Sequence, residues 1–84
     1  MTESEIGFVS DFFAKPVVAG IKIKSGNLKT GDKIHIKGHT TDLECTVGSM
    51  QINNAVVSEV KPGDSVGIKV SDRVRPGDKV YLVS

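Results

Sequence analysis

One phrase occurs three times in this 84-residue chain. It reads Leu28-Lys29-Thr30-Gly31-Asp32-Lys33-Ile34, then Val60-Lys61-Pro62-Gly63-Asp64-Ser65-Val66, then Val74-Arg75-Pro76-Gly77-Asp78-Lys79-Val80. Each copy is an apolar residue, a base, Thr or Pro, Gly, Asp, any residue and an apolar residue. Pro followed by Gly fits the central positions of a type II turn, because Pro presets φ and Gly accepts φ > 0. The aspartates Asp32, Asp64 and Asp78 resemble a carboxylate set, but their shared place in the phrase explains them as caps on backbone N–H groups. Beyond each turn the apolar residues alternate with others: Ile34 and Ile36, Val66 and Ile68, Val80 and Leu82. That is the period of a half-buried strand. Three strands launched from near-identical turns point to a small β-barrel and exclude most enzyme folds. The copies lie 32 and then 14 residues apart, which is recurrent turn chemistry and no fixed-period array.

The remaining segments read the same way. Ile6 to Phe13 is a first strand, with Ile6 and Phe8 on one side, broken by Lys15-Pro16. Val17, Ala19, Ile21 and Ile23 alternate with Val18, Gly20, Lys22 and Lys24 in a second. Strand three is Lys33 to Lys37. Strand four places Leu43, Cys45 and Val47 on one face and then slips phase before Met50 and Ile52, as a bulge at Gly48-Ser49 would produce. Asn53-Asn54 suits a tight hairpin. Ala55 to Val60, Ser65 to Val70 and Lys79 to Val83 complete about seven strands. Short strands at regular spacing, with no helical periodicity, predict an all-β sandwich or closed barrel. The phase slip and Gly67 favour the barrel, whose closure needs bends and close backbone approaches. The expected core is Val17, Ala19, Ile21, Ile23, Ile34, Ile36, Cys45, Val47, Val66, Ile68 and Val80.

Such a chain is one domain, 1–84, with residues 1–4 expected as a loose tail. No apolar run approaches the roughly 20 residues of a membrane span, and the polar, acidic start is unlike a signal peptide. With Cys45 as its single cysteine the chain forms no internal disulfide, which favours a cytoplasmic protein. The formal net charge of +1 hides an uneven distribution. Residues 14–41 carry six lysines against Asp32 alone, whereas residues 1–13 carry three acids and no base.

The run Gly7-Phe8-Val9, Val17 to Ile23 and Ser25-Gly26-Asn27-Leu28-Lys29-Thr30-Gly31-Asp32-Lys33-Ile34 resembles the second domain of translational GTPases, such as elongation factor Tu and initiation factor 2. Thr46 to Ile52, Ala55 to Ile68 and Val74 to Val80 continue the resemblance, which covers roughly residues 5–83. It implies a small closed antiparallel β-barrel with Greek-key-like connections, here as a free-standing elongation-factor-like protein that contacts RNA or a ribonucleoprotein such as the ribosome or tRNA. Similar barrels are also appended to enzymes that resemble U32 peptidases, some of which modify RNA. The chain departs from the large factors in having no G-x-x-x-x-G-K-[ST] loop, so no nucleotide binding is expected. The family's aminoacyl pocket lies partly against the missing GTPase domain and is assigned to no residue here.

The candidate RNA-binding residues are Lys22, Lys24, Lys33, His35 and Lys37. All lie opposite the apolar positions of their strands, and pairing of the two strands would gather them into one basic plaque able to contact phosphates. A solvated face that discourages edge pairing is the competing explanation. Of the adjacent rings Phe12 and Phe13, one belongs in the core and the other outside, beside Lys15. His35 and His39 have no clustered ligand spacing, so they are expected to be solvated and no metal or cofactor is expected. Cys45 reads as a small core residue, and no general acid–base pair is present. A non-catalytic binding module for RNA or a ribonucleoprotein follows, the alternative being a protein-interaction or accessory subunit beside a separate enzyme, with a larger protein as partner and no membrane.

Overall fold

The computed structural model describes residues 2–14, 17–53 and 55–83. Its strands are β1 (Glu3–Ala14), β2 (Val17–Ile23), β3 (Leu28–Lys29), β4 (Lys33–Lys37), β5 (Asp42–Thr46), β6 (Met50–Ile52), β7 (Ala55–Val57), β8 (Glu59–Val60), β9 (Ser65–Lys69) and β10 (Lys79–Val83). Among the described residues there is no helix, and so none long and apolar enough to cross a membrane. The chain is all-β, as the alternation and the turns predict. Among the described residues ten strands replace the roughly seven expected runs, because the fourth run divides into β5 and β6, the fifth into β7 and β8, and Leu28-Lys29 pairs as β3. Glu3 and Ser4 are paired with Val83 and Leu82, so β1 starts inside the stretch expected as a tail.

All strand pairs are antiparallel. The large sheet has the order β5-β4-β10-β1-β2-β9-β6-β7, with β3 and β8 as a separate pair. β5 and β6 stand toward opposite ends of that order, yet only residues 47–49 separate them in sequence. A trans backbone spans at most about 3.6 Å per residue, so those ends must meet and the sheet must roll. The phase slip at Gly48-Ser49 is therefore the place where the chain leaves β4 for β9, and no ladder bulge is found there. The register shifts lie instead between Glu5 and Gly7 and between Val9 and Asp11. The first of them corrects a face assignment: Ile6 is buried, whereas Phe8 turns outward beside Lys22 and is half-buried.

The three recurrent phrases form the same object. Gly31, Gly63 and Gly77 have φ of 93°, 97° and 96°. The N–H groups of Asp32, Asp64 and Asp78 each donate to the carbonyl three residues back, at 3.1 Å. Each aspartate carboxylate then accepts from the N–H of that same residue: Lys29 at 3.1 Å, Lys61 at 3.1 Å and Arg75 at 2.9 Å. Every turn also grips one residue of a neighbouring strand or loop. The Gly31 N–H donates to the Val47 carbonyl while the Val47 N–H donates to Asp32, at 2.8 Å each. Gly63 and Asp64 hold Ile23 in this way, and Gly77 and Asp78 hold Val9. The gripped residues Val9, Ile23 and Val47 are all buried. The phrase thus locks three core positions as well as reversing the chain.

Of the expected core, Ala19, Ile21, Ile23, Ile34, Ile36, Val47, Val66, Ile68 and Val80 are buried, while Val17 and Cys45 pack against the core partly buried. The phrases' opening residues Leu28, Val60 and Val74 join it fully buried. Phe12 packs on the core and Phe13 is 56 % exposed, the division expected of adjacent rings. Lys15 lies outside the described residues. A Cβ at Gly77 would meet nothing within 4 Å, so the positive φ alone sets the cost of replacing it. Gly77→Val is expected to destabilise by about 1–3 kcal/mol, read as a lowered melting temperature. An unchanged melt would mean that the turn does not need a left-handed residue.

Candidate functional site

The sheet order decides what the basic strand segments can do together. β4 and β2 do not pair; β10 and β1 stand between them. The registers place Lys37 opposite Lys79, Lys79 opposite Phe8 and Phe8 opposite Lys22. These four residues make one outward row across four strands, with Asp42 beyond Lys37 and Ser65 beyond Lys22. Lys22, Lys24, Lys33 and Lys37 are exposed, as the alternation predicts. Lys79 and Phe8 belong to the same row but were not legible as members of it, since only the strand order brings them there. Ammonium groups also cap the rings of the face. Lys24 Nζ lies 5.9 Å from the centre of the Phe8 ring, and Lys37 Nζ lies 5.6 Å from that of Tyr81.

His35 is not a solvated member of this face. Its side chain is only 11 % exposed, and carboxylates meet both ring nitrogens. Nδ1 lies 2.6 Å from Glu3 Oε2 and 3.9 Å from Glu44 Oε2, while Nε2 bonds the Asp42 carboxylate. Ionised carboxylates only accept hydrogen bonds, so the ring must carry both protons to satisfy Glu3 and Asp42 together. Asp42 first and Glu3 second hold the His35 pKa above its ordinary value, and His35 in turn lowers those of Glu3 and Asp42. Lys37 Nζ takes the other Glu3 oxygen at 3.3 Å, and Lys24 lies 4.0 Å from Glu5. Glu3, Glu5, Asp42 and Glu44 thus share the face that holds the five candidate residues. Among the described residues, Lys22, Lys33 and Lys79 have no carboxylate within 4.0 Å.

Among the described residues, open hollows also mark the surface, and one of them shares Lys33 and Glu44 with this face. Another is lined by the paired Gly20 and Gly67 together with Phe13, Gln51 and Asp11. Its described lining holds one carboxylate and neither His nor Cys. The hollow shared with this face contains Cys45 beside Lys33 and Glu44. Burial pushes the Cys45 thiol up, which disfavours the thiolate that a nucleophile requires. Glu3, His35 and Glu44 offer one donor atom each within 4.8 Å of one another, a grouping of metal-ligand type that spacing along the chain does not reveal.

The model of elongation factor Tu domain 2 matches residues 17–72. That is two thirds of the chain. The chain belongs to the elongation factor Tu domain 2 family. This β-domain is 48% identical over 80 residues to a protein of Methanocaldococcus jannaschii described as an uncharacterized protease, matching 94% of this chain and 19% of that protein. It is 35% identical over 71 residues to a protein of Porphyromonas gingivalis described as a collagenase, matching 83% of this chain and 20% of that one. The chain therefore spans about a fifth of the length of these relatives. Among solved structures, the C-terminal domain of a Geobacillus thermoleovorans protein described as a U32 peptidase superposes with a TM-score of 0.87. The two share 13% identity, over 95% of this chain and 92% of that one, so the likeness is one of fold.

Proposed function

We propose that this domain is a non-catalytic accessory module that acts beside a U32-type catalytic unit, positioning that unit on its substrate. The observation that carries the reading is the 48% identity confined to a fifth of a protein described as a protease. A module matching one fifth of such a protein, with no acid–base pair or activated thiol in its described hollows, leaves the chemistry to the other four fifths. The test replaces the matching fifth of the archaeal relative with this chain and measures backbone hydrogen exchange in the hybrid. Extra protection on one face of the module, absent from the isolated chain, supports a docked accessory domain. Protection identical to that of the isolated chain opposes it.

Direct contact with RNA or a ribonucleoprotein is the second reading, favoured by the row Lys37, Lys79, Phe8 and Lys22. Each lost phosphate contact would flatten the dependence of log affinity on log salt by about 0.7–0.9. A variant carrying Lys→Gln at Lys22, Lys24, Lys33 and Lys37 is expected to melt like the parent, because all four are exposed. If it binds RNA as well as the parent does, the row is a solvated face and this reading fails. Neither reading gives the module a nucleotide site. Calorimetry with GTP and magnesium is expected to show no binding heat, and micromolar affinity would contradict the account.

A further inference from the structure

We propose that Glu3, His35 and Glu44 form a surface site for one divalent transition-metal ion of the zinc class, with Asp42 as the residue that positions the imidazole. The site goes beyond the accessory reading and does not depend on it. Its three donors come from β1, β4 and β5, and His35 and Glu44 are directly opposed in the β4–β5 register. A paired sheet holds such donors more firmly than loops do. Around a four-coordinate zinc ion, with bonds of about 2.0–2.2 Å, neighbouring donor atoms stand about 3.4 Å apart. The separations of Nδ1 from Glu3 Oε2 and Glu44 Oε2, 2.6 and 3.9 Å, straddle that figure. A small movement of two exposed carboxylates closes the difference.

The surroundings fit an ion as well as the donors do. A ligating His normally gives its other ring N–H to a carboxylate, which fixes the tautomer and raises the basicity of the ligand. Asp42 is bonded to His35 Nε2 in that position. Lys37 occupies Glu3 Oε1 and leaves Oε2 to face the ring. Among the described residues three carboxylates, those of Glu3, Asp42 and Glu44, meet the ring nitrogens, against the one ammonium of Lys37 on Glu3. Binding exchanges the Nδ1 proton for the metal: the proton leaves to solvent, the nitrogen lone pair goes to the ion, and the dipositive ion balances the local charge. One imidazole with carboxylate oxygens suits zinc, cobalt(II) or nickel(II), whereas calcium and magnesium prefer oxygen alone.

Zinc chloride titrated calorimetrically at neutral pH into the chain carrying His39→Gln and Cys45→Ser tests the site without two competing donors. The expected result is one ion bound per chain, with a proton released, read from the dependence of the heat on the buffer's ionisation enthalpy. His35→Gln in that background is expected to abolish binding. Asp42→Asn is expected to weaken it by about 10–100-fold, the usual effect of losing an outer-shell partner. Glu44→Gln is expected to weaken it while leaving the zinc-free melt unchanged, because Glu44 is exposed; this variant decides the matter if His35→Gln does not fold. Absence of binding at millimolar zinc, or binding that survives Glu44→Gln unaltered, overturns the proposal.

Discussion

Ile21→Ala is expected to destabilise the domain by about 2–5 kcal/mol, from lost burial and the cavity left behind. Ile21 is fully buried at the middle of β2, opposite Val9 on one side and Val66 on the other. A domain of this length has a total stability of roughly 4–13 kcal/mol, so a single truncation consumes much of it. Urea unfolding is expected to show a lower midpoint with an unchanged slope. A midpoint equal to that of the parent would mean that the β2 face does not carry the core.

Gly7→Ala is expected to cost about 3 kcal/mol or more, by a mechanism unlike that of the turn glycines. Gly7 sits between β2 and β10, opposite Ile23 and Val80, and directly follows the irregularity at Ile6. A Cβ there would fall on the carbonyl oxygen of Lys22 and lie 3.2 Å from the Cα of Ile23. Both are backbone atoms of a ladder and cannot step aside. The two kinds of glycine separate under asparagine, which enters the left-handed region more readily than other side chains. Gly77→Asn is expected to lose less stability than Gly77→Val, whereas Gly7→Asn is expected to be no better than Gly7→Ala. Equal behaviour at both positions in thermal melts would refute the distinction.

The turns were legible because their chemistry is local: Pro or Thr, Gly and Asp at fixed offsets impose one conformation whatever surrounds them. The alternating runs were legible for the same reason, down to the division of Phe12 and Phe13. Strand order was not legible, and the candidate site depends on it. The charge imbalance read along the chain dissolves in space, because β1 brings Glu3 and β5 brings Asp42 and Glu44 onto the face of His35. The same order inserts Lys79 and Phe8 into the basic row. Neither irregularity of β1 carries a sequence mark, since Ile6 and Ser10 are ordinary strand residues. A register shift is a property of the partner strands, and it moved Phe8 to the outside. The phase slip at Gly48-Ser49 was visible as a slip, but only the pairings of β5 and β6 show that the chain changes neighbours there.

Calorimetric titration of this chain with a U32-type catalytic unit that lacks its own elongation factor Tu-like domain tests the accessory reading most directly. A saturable one-to-one complex of micromolar affinity, about −8 kcal/mol, is expected, and it should persist in the Lys→Gln variant at Lys22, Lys24, Lys33 and Lys37. No complex with the catalytic unit, together with tight, salt-dependent binding to RNA that the variant loses, would contradict that reading.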